Sequence, residues 1–266
     1  MLSYPEISPY ILKLGPLQIR WYGFMYLAGF VSSYMLVLYQ VKKRQLDIDK
    51  EDVENLYLYL IIGLIAGARL GYIVFYNLSY YISNPLELIA VWHGGMSFHG
   101  GLAGALMGGG FYCKRRKIDF WLMADLLIVT APVGLALGRL GNFINGELYG
   151  RPTTVPWGMV FPYAGSMPRH PSQLYEFFLE GFVLFSVLWF AKDRSKTKGA
   201  LLLVFIMLYG FFRFIVEFFR EPDQQLGLIL GPLTMGQLLS VSMLIAGAIV
   251  LNILRRRQRD QSFKSS

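Results

Sequence analysis

The sequence predicts an all-α integral membrane protein of seven transmembrane helices, its amino terminus outside and its carboxyl terminus cytoplasmic. Three observations carry that reading. Of the 266 residues, 55% are apolar and only 16% charged, whereas a soluble domain carries roughly a quarter charged residues. Apolar runs near the ~20 residues that cross a hydrocarbon core recur at 21–39, 53–76, 94–113, 120–138, 174–191, 200–217 and 235–254. The connecting segments then alternate in charge. Loops 40–52, 114–119 and 192–199 with the tail after 254 hold 17 of the Lys and Arg residues, against 6 in the opposite set. The basic set faces the cytoplasm.

Taken in order, the first run is expected to target the chain itself, because the stretch from Met1 to Pro16 lacks a basic start and contains Pro5, Glu6 and Pro9. Trp21-Tyr22-Gly23 marks its outer end and Tyr26 lies one turn deeper; by composition these aromatics fit an interface belt. In the second run, Arg69 lies seven residues before Tyr76, which is about 10 Å below the outer boundary at helical rise. The third is rich in glycine (Gly94, Gly95, Gly100, Gly101, Gly104, Gly108, Gly109 and Gly110), a poor helix former unless another helix packs against it closely. His99 follows Ser97 at its mouth. The fourth run gives way to Arg139, Asn142, Asn145 and Glu147, opening the one long loop, about 139–173, expected outside and functional. The sixth carries Arg213 and Glu217 at i and i+4, with Arg220 a turn beyond. The seventh has no lysine, which excludes a retinal photoreceptor. No composition shift divides 1–266 into two domains.

An ionisable group inside a membrane costs from about 2.5 to more than 10 kcal/mol and persists only with a partner or in a wet cavity. Topology puts Arg69, His99, Arg139 with Asn142 and Glu147, and Arg213 with Glu217 in the same outer half; only Glu54 and Asp125 fall near the inner ends. That agreement in depth predicts a polar cavity open to the outer leaflet. Each residue also has a plainer reading. Arg213 and Glu217 could neutralise one another, Arg69 and Arg139 could snorkel, and His99 could be a packed histidine. Against Glu147 and Glu217 alone, however, the arginines are in excess, and an anionic ligand would balance them. Arginine suits phosphate because its planar fork bonds in pairs and keeps its charge.

Other classes fall away. A net charge of +8 suggests a nucleic-acid partner until the basic residues are located between the apolar runs, so none is expected. One cysteine, Cys113, forbids an intrachain disulfide. The histidines His93, His99 and His170 lack zinc-site spacing, and no metal or cofactor is expected. Intramembrane proteolysis would need paired aspartates, a serine–histidine pair or zinc spacing. An anion transporter would carry polar residues through to the inner face, where these largely stop. Cys113 lies at the cytoplasmic end of the third run, a membrane's width from His99 and Arg139. A Cys113→Ala variant is therefore expected to keep full activity, and loss of activity at normal protein levels would make that thiol a participant.

The motifs themselves carry a resemblance. The run from Gly138 to Gly150, GRLGNFINGELYG, resembles the signature of the prolipoprotein diacylglyceryl transferase family. Trp21-Tyr22-Gly23, the block from Gly94 to Gly101, the block from Arg169 to Glu176 and the block from Arg213 to Arg220 are similar to the same family in the same order. Only 151–168 and the extreme tail go unmatched. The resemblance implies a multi-pass enzyme of the bacterial cytoplasmic (inner) membrane with its site toward the extracytoplasmic side. It would transfer the sn-1,2-diacylglyceryl group of phosphatidylglycerol to the lipobox cysteine in the signal peptide of a preprolipoprotein, forming a thioether and releasing glycerol 1-phosphate. By motif position it implies a catalytic set of Tyr22, His99, Glu147, Arg213 and Glu217, with Arg139, Asn142 and Gly150 binding substrate; the residue reading adds Arg69 to the binding set.

That chemistry asks for two things. The incoming thiol has a reference pKa of about 8.5, so a base must favour thiolate, and His99 is the candidate, with Tyr22 or Glu147 relaying the proton. Charge also grows on the departing phosphate, where Arg139 and Arg213 would donate, Asn142 would add neutral hydrogen bonds, Glu217 would orient Arg213 and Gly150 would permit close backbone approach.

Overall fold

The computed structural model describes residues 2–5, 7–15, 17–195, 197–221, 228–230 and 233–264. Glu6, Pro16 and Lys196, which entered the sequence reading, lie outside the described residues, as do the side chains of Arg257, Arg259 and Lys264. In chain order the helices are α1 (Trp21–Lys43), α2 (Lys50–Tyr76), α3 (Leu78–Ser83), α4 (Phe98–Arg116), α5 (Phe120–Ile128), α6 (Ala131–Ile144), α7 (Ser172–Glu176), α8 (Leu184–Ala191), α9 (Ala200–Val216) and α10 (Met235–Lys264). A π-helical stretch, Phe177–Val183, joins α7 to α8. The strands are short: β1 (Leu2–Ser3), β2 (Tyr10–Leu14), β3 (Leu17–Arg20), β4 (Met159–Val160), β5 (Leu228–Leu230) and β6 (Leu233–Thr234). They pair as a parallel β1–β4 ladder and two antiparallel hairpins, all outside the apolar runs.

Among the described residues, five helical stretches are long and apolar enough to cross a membrane: Trp21–Lys43, Lys50–Tyr76, Phe120–Ile144, Ser172–Ala191 and Met235–Arg256. Large apolar side chains such as Leu27, Met35, Ile62, Val74 and Ile249 are exposed on them, the surface expected of helices that face lipid. The other two predicted runs are helical as well. α9 is apolar but only 17 residues long, and the glycines of α4 lower its hydropathy.

The chain divides into two compact units, Met1–Leu36 with Ala124–Ser266, and Val37–Met123. The second is built on α2 and α4. Gly63, Gly67 and Gly71 face Gly100, Gly104 and Gly108, and a Cβ on Gly104 would stand 2.8 Å from the Gly67 Cα, one on Gly71 2.9 Å from the Gly100 Cα. The expected purpose of the glycines is therefore met inside this unit: two backbones touch where any side chain would part them. A Gly104→Val variant is expected to lose roughly 1–3 kcal/mol or more through overpacking, read as a lower unfolding temperature in detergent; an unchanged temperature would mean that the helices can separate at no cost.

α4 begins four residues later than the run at 94, because Gly94 and Gly95 take positive φ (83° and 73°) and Ser97 caps the helix, its Oγ accepting from the Gly100 N–H at 3.3 Å. It ends on Lys114, Arg115 and Arg116 with Lys117 left-handed, as the dipole and a C-cap prefer. At the same end Asp52 accepts from the Tyr112 hydroxyl at 2.9 Å and Arg116 Nε at 2.8 Å.

In the first unit, Pro132 cannot donate within a helix, so the fourth run breaks at 129–130 and resumes as α6. α6 runs to Ile144 rather than stopping at 138, which places Arg139 and Asn142 on a helix and starts the loop at Asn145. Tyr4 anchors that end, donating to Phe143 O at 2.6 Å. Phe143, Met159 and Phe161 form a small core beneath the loop, while Val129, Leu184, Leu188 and Leu201 form another between α8 and α9. Both inner-half exceptions have structural partners. Asp125 receives the Gly199 and Leu202 N–H groups at 2.8 and 2.9 Å, capping α9, and Glu54 pairs with Lys50 at 3.3 Å.

Candidate active site

The first unit gathers charges that no soluble core would keep. Arg139 projects from α6, Arg213 from α9, and Arg220 from the turn beyond Glu217. All three converge on Glu176, which is fully buried. Its Oε1 accepts from Arg213 Nη1 at 2.5 Å and Arg220 Nη1 at 3.0 Å, and its Oε2 lies 3.3 Å from Arg139 Nε. Glu180, also fully buried, lies 3.7 Å from Arg139 Nη2. Arg213 Nη2 reaches Glu217 Oε2 at 2.8 Å, while Glu217 Oε1 accepts from Thr234 Oγ1 at 2.9 Å. A Cβ on Gly236 would fall 2.7 Å from the Glu217 carboxylate, so a side chain there would displace that carboxylate from its place beside Thr234 and Arg213.

This arrangement corrects the charge count made from the sequence. Glu147 and Glu217 are not the only counter-charges: Glu176 and Glu180 sit in the fifth apolar run, four residues apart. Three guanidinium groups therefore face three carboxyl groups, and the excess that called for an anion disappears while all three are ionised. The signal was present as two acidic residues in Leu-Tyr-Glu-Phe-Phe-Leu-Glu-Gly, where lipid would tolerate neither. Arg213 and Glu217 do pair at i and i+4, but as part of this network rather than as a closed couple.

A second group lies at the turn after α6. Asn142 Nδ2 and Asn145 Nδ2 both donate to Glu147 Oε1, at 2.9 and 3.2 Å. Gln173 Nε2 holds the Glu147 carbonyl at 2.7 Å, and Gly146 and Leu148 take positive φ (65° and 58°) on either side of it. Tyr22 packs on Gly141, where a Cβ would meet its ring at 2.9 Å, and its hydroxyl lies 3.1 Å from that of Tyr26. Tyr22 thus stands one residue from Asn142. Gly150 does permit a close approach, yet the neighbour is this chain's own backbone: its N–H donates to His170 O at 2.8 Å and a Cβ would meet His170 Cβ at 2.8 Å and the Phe219 carbonyl. The loop is stitched to the end of α9 there, with Arg151 Nε on Arg220 O at 2.8 Å and Arg169 Nη1 on Glu221 Oε2 at 2.6 Å.

Sequence reasoning also passed over a chain of ring contacts. Trp157 Nε1 donates to the Tyr175 hydroxyl at 2.7 Å, which lies 3.0 Å from His170 Nδ1. Since the indole can only donate, the hydroxyl is free to give its proton to His170. Burial holds the His170 pKa below the ordinary histidine value.

Arg69 and His99 belong to the second unit. Arg69 is 4% exposed and does not snorkel. Its Nε donates to Leu88 O at 3.1 Å, its Nη1 to Gly94 O and Gly95 O at 2.5 and 3.2 Å, and its Nη2 to Glu87 O, with Tyr81 under the guanidinium at 5.0 Å. It braces the 3₁₀ turns and the glycine pair that lead into α4. His99 is exposed in the first turn of α4, its ring 5.7 Å from that of Phe98. Cys113 is buried near the opposite end of that helix.

Comparison with known proteins agrees with the motifs. A profile of the prolipoprotein diacylglyceryl transferase family matches residues 9–253. The chain is 53% identical over 257 residues to a phosphatidylglycerol–prolipoprotein diacylglyceryl transferase of Geobacter sulfurreducens, covering 97% of this chain and 99% of that one. It is 52% identical over 249 residues to that of Desulfotalea psychrophila (91% and 92% covered) and 48% over 263 residues to that of Bordetella avium (98% and 100%).

Proposed function

The chain belongs to the prolipoprotein diacylglyceryl transferase family, and from that membership we propose the reaction and the roles of its residues. It is a membrane transferase of lipoprotein maturation that moves the diacylglyceryl group of phosphatidylglycerol onto the lipobox cysteine of a prolipoprotein. Sulfur attacks the glyceryl carbon that bears the phosphodiester oxygen. A carbon–sulfur bond forms, the carbon–oxygen bond breaks, and glycerol phosphate departs with the electron pair.

The observation that carries our site assignment is the convergence of Arg139, Arg213 and Arg220 beside the Asn142–Glu147 turn. We read this cluster as the holder of the lipid phosphate. Donors fixed in advance beside a leaving oxyanion need no reorganisation as charge develops. Glu217 and Glu176 orient the guanidinium forks, and Asn142 and Glu147 present a polar wall next to Tyr22. His99 is the base we assign to the thiol. Arg69 acts at one remove, by bracing the turn that leads into α4, which carries His99. Gly150 locks the loop to the end of α9. We take all seven apolar runs, α4 and α9 included, as spans of a single catalytic domain in the bacterial inner membrane, with the amino terminus outside, the carboxyl terminus cytoplasmic and the site toward the extracytoplasmic side.

The test is direct. Purified protein in detergent, given phosphatidylglycerol and a lipobox peptide, should add one diacylglyceryl mass to the peptide, and a Cys→Ser peptide should gain nothing. No mass gain, with anion flux in liposomes instead, would favour a transporter.

A further inference from the structure

We propose that Glu180 is the carboxyl that carries a proton when this cluster holds an anion, a proposal that rests on reading Arg139, Arg213 and Arg220 as the phosphate site. Glu180 differs from its neighbours in how it is bonded. Glu176 accepts two guanidinium hydrogen bonds and Glu217 accepts from Thr234 and lies against Arg213. Glu180 is as buried as either, yet neither of its oxygens accepts a hydrogen bond among the described residues, and its contact with Arg139 is 3.7 Å long. An ionised carboxylate held dry without donors is among the costliest groups a protein can bury, whereas its protonated form is neutral.

Charge balance points the same way. The groups that face Glu180 are Glu176 from its own helix, Arg139 from α6, Tyr209 and Arg213 from α9, and Arg220 beyond it. With Glu217 the cluster holds three guanidinium and three carboxyl groups. A phosphodiester adds one negative charge, which a neutral cluster in a low-dielectric site could not hold without loss. One proton taken from bulk water restores the balance, and it settles on the carboxyl that arginine serves least. The backbone is shaped for this contact. Gly181 lacks the Cβ that would strike Ala136, lying 3.0 Å from its Cα, so the helix presses onto α6 beside Arg139. The turn that carries Glu180 is the π-helical one, a departure often found at functional sites.

The experiment uses the full-length protein in detergent with a dialkyl (ether-linked) phosphatidylglycerol, which has no ester carbonyl of its own to absorb in the infrared. The lipid-bound wild type should show the carbonyl stretch of a buried carboxylic acid, displaced by ¹³C-glutamate labelling and lost in Glu180→Gln. Absence of the band in the lipid-bound wild type, a band that ¹³C-glutamate does not move, or a band that survives in Glu180→Gln overturns the proposal. Where Glu180→Gln fails to fold, Glu180→Asp keeps a carboxyl at the position but removes it from the glutamate label, and a band that ¹³C-glutamate still moves in Glu180→Asp overturns the proposal. Failure of the underlying reading looks different: Arg139→Ala would then bind the ether lipid as tightly as the wild type.

Discussion

Glu176→Gln should lose about 3–5 kcal/mol of stability, the usual consequence of removing one partner from a buried ionic group and leaving the other charged. The substitution keeps the volume and removes only the charge, so packing is not at issue. It leaves Arg139, Arg213 and Arg220 sharing Glu180 and Glu217, neither of which reaches Arg220. The measurement is the unfolding temperature in detergent. Combining Glu176→Gln with Arg220→Gln removes one charge of each sign and should recover part of the loss. A thermodynamic cycle on the pair then isolates their coupling. A single variant that unfolds with the wild type would mean that water or lipid headgroups reach the cluster and the carboxylate is not its keystone.

Arg213 is legible in the sequence and Glu176 is not, for reasons of periodicity and position in the run. Runs of apolar residues fix the starts of α1 and α10, the end of α2 and both ends of α9 to within a residue, because hydrocarbon sets their composition; the polar turns that carry α1 on to Lys43, α2 back to Lys50 and α10 on to Lys264 lie outside that signal. Arg69 and Arg213 stand out because a cation interrupts such a run, and Arg139 because it closes one inside a motif. Glu176 and Glu180 interrupt one equally, but Glu176 is two residues from the predicted start of its run, where a charge looks like a boundary, and Glu180, one turn further in, goes unremarked. The fourth run reads as one span over 120–138, although Pro132 carries the signal for its break, whereas the π turn at Phe177–Val183 leaves no mark, because winding responds to what the helix packs on. The partners of Arg69 are backbone carbonyls, which every residue owns, so no pattern of side chains could announce them. For the same reason Gly150 was recognised as a point of close approach while the approaching group, the backbone of His170 and Phe219, was not.

Arg139 should decide the function. Replacing it with alanine is expected to lower transfer of diacylglyceryl to a lipobox peptide by roughly 10²–10³-fold, the common cost of deleting one fixed donor beside a developing oxyanion. Lysine is the more telling substitution. It keeps the charge but not the fork, and at this site the guanidinium spans two carboxylates, with Nε toward Glu176 and Nη2 toward Glu180. An ammonium gathers its three donors on one atom, so it cannot stand where both Nε and Nη2 stand and also face a phosphate. Arg139→Lys should therefore remain folded, bind phosphatidylglycerol, and fall in kcat more than in KM. A variant that loses affinity but keeps kcat would make Arg139 a site of uniform lipid binding. Wild-type kinetics in both variants would remove the phosphate from this cluster, leaving the buried arginines as structural ties and placing the chemistry elsewhere in the chain.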